Sequence, residues 1–401
     1  MISFYEARER VLAGITPVTD EEMVPVTQAL GRVLARAIVA PFHVPNHDNS
    51  AMDGYAVRID DLDAVAETRL RVVAYAPAGT APLSSLVAGT AARIMTGSPV
   101  PSGCNAVVMQ EEVHRDGDWV VIPPGQKINQ HIRPAGEDIV QGSTVLPSGR
   151  RLTPADLGII SSLGMTQVSV KRRIRAAILS TGNEIVPAGQ PLPPGCVHDS
   201  NRINLIGCLT ALGSEIMDLG LVRDRHQEIT AALRRGGEAA DALISSGGVS
   251  EGDLDLVKMV VSELGSVVFW KVAMKPGKPQ AYGRLGQAAF FGLPGNPVSS
   301  MVVFLLMVRP ALLRLMGALP EPDHRLQLPI KGGWHKRHDR MEFLRGRVHF
   351  DPAGAWVESS GGQGSGMLSG MAHANAFVAL PEEARQIADG ELVDVWLMRY
   401  D

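Results

Sequence analysis

The stretch DALISSGGVSEGD, residues 241–253, begins with an apolar, β-forming run, passes through two glycines and ends on an Asp suited to cap a helix. Strand, glycine turn and helix in that order make one unit of an alternating α/β domain. The neighbouring sequence repeats the unit. IRAAILST (174–181) reads as a strand and DSNRINLIGCLTALG (199–213) as a helix capped by Asp199 or Ser200 and ended by Gly213. EIMDLGLV (215–222) and RHQEITAALRRGG (225–237) form the next pair. DLDLVKMVVSELG (253–265) reads as a helix, VVFWKVAM (267–274) and AAFFGL (288–293) as two more strands, and a long helix starts near Asn296. The alternation predicts a mostly parallel or mixed sheet with helices on both faces over residues 174–319.

The flanks differ in texture. Residues 42–138 are punctuated by Pro and Gly around short runs such as AARIMTG (91–97), NAVVMQEEV (105–113) and DWVVIPP (118–124), which predicts a β-rich domain. Residues 1–41 together with 139–173 form a helical and linking domain, whose first helix is placed to pack on the α/β domain. There Thr153 caps a helix with Pro154 at its first position and Asp156 in its first turn. After residue 320, LQLPI, RGRVHF, AWVES, AFVAL and LVDVWLM recur between turns, which predicts a small C-terminal β-barrel or sandwich, of which the barrel is the expectation. The fold class expected is therefore α/β plus β in a multi-domain, elongated subunit.

Composition removes several classes of function. The 401 residues exceed one ordinary core, and 45% hydrophobic with 20% charged residues is globular composition. A formal charge of −4 gives no electrostatic case for nucleic acid as a partner. Cys104, Cys196 and Cys208 are scattered without CxxC spacing, so neither a disulfide framework nor a zinc site is indicated, and a reducing, cytoplasmic setting fits. MISFYEARERVLAGI carries four charges where a signal peptide needs an apolar core, and reads as an amphipathic helix. The apolar run VSSMVVFLLMVRPALLRLMGAL is interrupted by Arg309, Pro310 and Arg314, which predicts a buried, proline-kinked helix rather than a membrane span.

In an open α/β sheet, ligands bind beyond the carboxyl ends of the strands, so the loops there are read as a set. They are TGNEI with Glu184, RDR with Asp224, GGVSEGD with Gly247, Gly248, Ser250 and Asp253, KPGKP with Lys275 and Lys278, and GLPGNP with Pro294 and Pro297. The glycines of the third loop let backbone amides approach a phosphate at a helix start. A tight turn with Asp253 as helix cap explains the same residues equally well. The stiff KPGKP loop is suited to hold two ammonium groups toward one oxyanion; a solvated turn explains a lone KPGK better, and it is the position on the rim that favours the oxyanion. Asn296 as cap and Pro297 at the first helical position account for GLPGNP, leaving its backbone and shape for any ligand role. Glu184, Asp224 and Asp253 are oxygen donors of the kind magnesium takes alongside substrate phosphates. His43 and His47 flank Pro45 and do not share a helical face, and His335 and His338 lie in a basic loop, so no zinc site is read from either pair. The residues alone thus describe a binder of an anionic, phosphate-bearing ligand with a divalent metal.

DNSAMDGYA (48–56), MTGSPVP (95–101), RPAGEDI (133–139), STGNEI, SSGGVSEGD, KPGKP and LPGNPVSS resemble, in that order, motifs of the molybdopterin molybdenumtransferases, the molybdenum insertion enzymes related to the gephyrin E domain. The resemblance spans nearly the whole chain. It implies a homodimer with an intersubunit active site, possible contact with other proteins of cofactor biosynthesis, and substrates adenylylated molybdopterin and molybdate, with Mg2+ as cofactor and AMP released. Carried over by motif, it makes Asp53, Thr96, Asp138, Glu184, Asp224 and Asp253 the functional polar residues, with Asp53, Glu184 and Asp253 catalytic. It makes Ser250, Lys275, Lys278, Arg345 of RMEFLR and Ser365 of GGQGSGMLS the oxyanion or phosphate contacts. Asn183 stands where the family commonly has Asp, and Arg225 where a second acid is common. The competing readings are a molybdopterin adenylyltransferase-like enzyme, which would lack DNSAMDGYA and the C-terminal β domain, and a non-catalytic pterin-binding scaffold. Tungstate matches molybdate in size and charge, and these side chains do not separate the two.

Overall fold

The computed structural model describes residues 1–249, 256–322, 324–352 and 354–400. The chain divides into two compact units, Met1–Ala35 with Gly149–Thr153 and Gln167–Asp401, and Arg36–Ser148 with Pro154–Thr166.

The first unit contains a six-stranded sheet: β1 (Arg175–Thr181), β2 (Glu215–Val222), β3 (Ala242–Ser246), β4 (Gly265–Lys271), β5 (Pro279–Leu285) and β6 (Ala288–Leu293), in spatial order β2-β1-β3-β6-β5-β4. β1 is parallel to β2 and β3, and β3 to β6, while β5 runs antiparallel to both of its neighbours. Two antiparallel steps restore the direction, so β4 points the same way as β1, β2, β3 and β6. The helices are α1 (Asn201–Leu212), α2 (His226–Ala239), α3 (Leu256–Leu264) and α4 (Pro297–Leu315).

Alternate residues of β1 serve opposite faces, as a strand buried on both sides requires. Ala176 and Ile178 join the core with Leu205 and Leu209 of α1 and Val302 of α4. Ala177 and Leu179 pack with Ile229 and Leu233 of α2 and Val257 and Val260 of α3.

Two local expectations about strands are corrected, and two about helix caps hold with refinements. β5 lies in a stretch, PQAYGRL, whose Pro279, Gly283 and Arg284 obscure its pattern. VVFWKVAM is not one strand: β4 ends at Lys271, and Met274–Lys275 leaves the sheet. Ser200 occupies the cap position of α1 without a side-chain bond, and it is Asp199 Oδ1 that accepts from the Arg202 amide at 3.1 Å. Asn296 likewise starts α4 without a side-chain cap bond, Pro297 following it.

α4 is long and apolar enough to cross a membrane by length and composition, yet 89% of that window is buried in the fold. It contains a π-helical turn, Phe304–Val308, just before Arg309 and Pro310. A proline has no N–H to give, and widening the preceding turn accommodates it.

The strands Arg325–Lys331, Met341–Asp351, Gly354–Ser359, Ala376–Leu380 and Leu392–Leu397 close into the expected five-stranded barrel. Met274–Lys275 adds to its Met341–Asp351 strand in parallel. The N-terminal helix Phe4–Ala13 buries Phe4, Ala7 and Val11, and its Phe4 ring packs 4.8 Å from Phe343 and 5.8 Å from Trp396 of the barrel.

The second unit holds a six-stranded sheet of Ala106–Met109, Gly54–Val57, Thr90–Ile94, Thr68–Ala76, Trp119–Ile122 and His114–Asp116, in that spatial order. Its core includes Tyr55, Leu70, Val108 and Ile122. The helix Pro154–Ser162 begins at Pro154, with Asp156 in its first turn.

Candidate active site

Strand directions bring the loops after β1, β2, β3, β4 and β6 to one edge of the sheet. The chain leaves β1 toward β2 on one side and returns to β3 on the other, so the order reverses between β1 and β3 and opens a crevice there. At this point the β3 loop closely approaches β1. A Cβ built on Gly247, whose φ is +90°, would lie 2.7 Å from the Thr181 carbonyl oxygen, and one on Gly248, at φ +70°, would lie 2.2 Å from Val257 Cγ2. Glycine is required at both. Asn201 Nδ2 spans the crevice, donating to Ser246 Oγ at 2.8 Å and to the Gly295 carbonyl at 2.7 Å. Asn201 Oδ1, Ser245 Oγ and Ser300 Oγ are buried and have no hydrogen-bond partner among the described residues. Buried polar atoms of this kind call for a water or ligand partner.

The acidic side of the rim carries Glu184 and Asp224. Asn183 Oδ1 accepts from the Asp224 amide at 3.3 Å, tying the β1 and β2 loops together. Burial pushes the Asp224 carboxyl above its ordinary range and the charge of Glu184 pushes it the same way, against hydrogen bonding with Asn183. Arg225 turns to Glu228 at 3.1 Å. Among the described residues no three His, Cys, Asp or Glu side chains form a metal-sized cluster. A two-carboxylate donor set suits Mg2+, which keeps waters and takes substrate phosphates as its remaining ligands. The rise of Asp224 comes first from burial and to a lesser degree from the Glu184 charge, and a bound cation would offset both.

The cationic side is built jointly with the barrel. Lys275 Nζ lies 2.9 Å from Glu342 Oε1, whose side chain is 3% exposed against 43% for the lysine. Arg340 Nη1 donates to the Met274 carbonyl at 3.3 Å. Lys278 lies three residues on, where its carbonyl accepts from the Val272 amide at 3.1 Å. Arg345 is buried, and its guanidinium donates to the carbonyls of Gly362 at 2.5 Å and Gly364 at 3.1 Å. It thereby fixes the loop bearing Ser365, whose carbonyl accepts from the Val298 amide at 3.1 Å, so this loop meets the start of α4 beside Pro294 and Pro297.

In the second unit, Asp53 Oδ1 accepts from the Thr96 amide at 2.7 Å and the Thr96 hydroxyl at 2.8 Å. These two bonds hold its carboxyl below the ordinary range. DNSAMDGYA and MTGSPVP are therefore joined through Asp53 and Thr96. Gly54 is obligatory beside it, because a Cβ there would lie 2.0 Å from the Val108 carbonyl oxygen. Ser50 is fully buried, with its hydroxyl donating to the Met52 carbonyl at 2.5 Å. The Asp138 amide donates to the Val44 carbonyl at 3.0 Å.

Comparison with known proteins covers almost all of this architecture. Residues 2–164 match the model of the MoeA N-terminal region (domain I and II), 177–314 that of a probable molybdopterin binding domain, and 327–398 that of the MoeA C-terminal region (domain IV). The molybdopterin molybdenumtransferase of Haemophilus influenzae is 38% identical over 399 residues, 98% of each chain. The chain belongs to the molybdopterin molybdenumtransferase family. Molybdopterin molybdenumtransferase 2 of Mycobacterium tuberculosis is also 38% identical, over 98% of each chain. The crystal structure of a molybdopterin biosynthesis MoeA protein from Pyrococcus horikoshii superposes with a TM-score of 0.86 at 28% identity, covering 99% of this chain and 100% of that one.

For this member of the molybdenumtransferase family, the rim gathers Glu184, Asp224, Gly247, Gly248, Pro294, Pro297, Lys275 and Lys278, and the second unit pairs Asp53 with Thr96. Ser250 and Asp253 lie outside the described residues. Sequence reading missed Asn201, Arg340 and Glu342. Asn201 looked like an ordinary first-turn helix residue. Glu342 sat inside RMEFLR unweighed, although an acid flanked by Met341 and Phe343 in a strand is a visible anomaly. A cavity of about 350 Å3, lined by Leu12, Leu313 and Trp396 among others, lies apart from these loops.

Proposed function

We propose that this chain transfers molybdenum to molybdopterin, taking adenylylated molybdopterin and molybdate, releasing AMP and using Mg2+, as a cytoplasmic homodimer whose active site draws on both subunits. The observation that carries the reading is the rim itself, where glycine amides, two carboxylates and the Lys275 ammonium share one edge of the sheet in a molybdenumtransferase family member. We assign the pyrophosphate to the glycine turn at Gly248, because the Gly247 N–H already donates to the Leu293 carbonyl at 3.0 Å and Gly247 serves to shape the turn. Lys275 and Lys278 hold molybdate, a tetrahedral dianion, and Arg340 is the guanidinium that clamps their loop. We assign Arg345 to shaping the Ser365 loop, since its Nη1 and Nη2 groups already serve carbonyls, while its buried Nε has no partner among the described residues and is left for a ligand or water. Glu184 and Asp224 would hold Mg2+, which supplies charge neutralisation of the pyrophosphate when bound. Asp53, held below the ordinary carboxylate range, is a weak base and acts as a fixed negative charge.

The test supplies purified protein with adenylylated molybdopterin, Mg2+ and limiting molybdate, then measures AMP release and reconstitution of an apo-molybdoenzyme. Stoichiometric formation of both products is expected. Pterin binding with neither product would overturn the reading and leave a binding scaffold.

Asp224 provides a separate check on the metal. Its folded pKa is raised, so its contribution to stability is fully present below its unfolded pKa and is lost as pH rises through the folded value. A cation at Glu184 and Asp224 reverses that loss. Mg2+ is therefore expected to raise the melting temperature at pH 7 and to have little effect at pH 4, and Asp224→Asn should remove most of the Mg2+ response. An equal Mg2+ response in Asp224→Asn would place the cation elsewhere.

A further inference from the structure

The rim lysine is anchored from outside its own sheet. Lys275 stands opposite Glu342 in the parallel pairing of Met274–Lys275 with the barrel strand. The Glu342 carboxylate meets Lys275 Nζ at 2.9 Å, lies 3.4 Å from His338 Nε2 and accepts from Trp334 Nε1 at 3.3 Å. Burial pushes the His338 imidazole down, so it is neutral at pH 7; the buried Lys336 also feels the Glu342 charge, but the ammonium in direct contact with Glu342 is that of Lys275. One of the three ammonium donors is thus held from behind by a buried carboxylate, while the half-exposed lysine keeps the others for the rim.

We propose that Glu342 is a positioning residue for Lys275, fixing the ammonium where an incoming oxyanion meets it already ordered. The proposal rests on Lys275 being an oxyanion contact. A lysine stem has wide rotamer freedom, and a second anchor removes that freedom before the ligand arrives. The barrel thereby sets the geometry of a site carried mainly by the α/β sheet. Electrostatics alone would act in the opposite direction, because deleting a carboxylate beside an anion site should tighten anion binding. The sign of the change therefore separates positioning from plain charge.

The experiment uses the full chain and measures the molybdate concentration for half-maximal turnover in wild type, Glu342→Gln, Lys275→Ala and the double variant. Glu342→Gln is expected to raise it by about tenfold, the scale of losing an outer-shell partner, with turnover at saturating molybdate little changed. In the Lys275→Ala background the same substitution should have no further effect. Glu342→Asp, which keeps the charge on a shorter stem, should recover part of the loss and guards against a folding artefact. An unchanged or lowered molybdate requirement in Glu342→Gln, or effects that multiply with those of Lys275→Ala, would overturn the proposal. Were the wild type to show no molybdate-dependent turnover, the functional reading would fail first. Equilibrium dialysis against molybdate then decides the positioning claim: weaker binding by both single variants than by wild type supports it, and no binding by wild type overturns it.

Discussion

Lys275→Ala is expected to raise the molybdate requirement by roughly 10- to 150-fold, the range that corresponds to losing one charged hydrogen bond of about 1.5–3 kcal/mol. Affinity for the pterin should stay within about twofold, because the proposed function assigns the phosphate to the glycine turn at Gly248 and not to the KPGKP loop. Stability should fall as well. Removing the ammonium leaves Glu342, 3% exposed, beside a neutral imidazole and an indole N–H, with only the more distant charge of Lys336 to offset it. Stranding a buried charge costs about 3–5 kcal/mol; with the lysine itself 43% exposed, about 1–2 kcal/mol is the appropriate discount. Lys275→Ala combined with Glu342→Gln should regain that stability without regaining molybdate affinity. Thermal unfolding and molybdate titration on the same samples check both halves. Loss of pterin affinity in Lys275→Ala would show that the lysine belongs to the phosphate site instead.

The reason this lysine was visible in the sequence, and its partner was not, applies to the site as a whole. KPGKP, SSGGVSEGD and TGNEI each interrupt an apolar strand pattern with residues that packing does not explain, and strand alternation alone places them on one edge. Hydrophobic period and helix punctuation likewise sufficed for β1, β2, β3, β6 and the barrel strands. β5 was hidden because an antiparallel strand inside a hairpin needs no crossover helix, and its Pro279 and Gly283 resemble loop residues. Glu342 and Asn201 were hidden for another reason. Their roles depend on which distant segment packs against them, 67 positions along the chain for Lys275 and Glu342, counted as 342 minus 275, and local pattern carries no such information. Arg345 is the reverse case. Its residue type suits an oxyanion, and local pattern did not show that its Nη1 and Nη2 serve the Gly364 and Gly362 carbonyls while its buried Nε keeps no partner among the described residues.

Gly247→Ala is expected to cost about 3 kcal/mol of stability or more, because two effects add. The first is conformational: at φ +90° an L-residue is strained wherever it stands. The second is contact, since the new Cβ would sit 2.7 Å from the Thr181 carbonyl oxygen and 3.2 Å from its hydroxyl, both at the carboxyl end of a buried central strand. Gly189→Ala isolates the first effect, because Gly189 has φ +86° and nothing within 4 Å of its Cβ position. It should lose only about 1 kcal/mol, the lower end of the cost of a left-handed non-glycine residue. The difference between the two variants then measures the close approach of the β3 loop to β1. That approach, with the Gly247 N–H donating to the Leu293 carbonyl at 3.0 Å, sets the course of the turn through Gly248, so Gly247→Ala should also weaken pterin binding, whereas Gly189→Ala should leave it unchanged. Denaturant unfolding gives the two stabilities and equilibrium titration with the adenylylated pterin gives the two affinities. If the variants lose equal stability, the crevice has room that the backbone geometry denies; if Gly247→Ala binds the pterin normally, the phosphate is held by some other part of the rim.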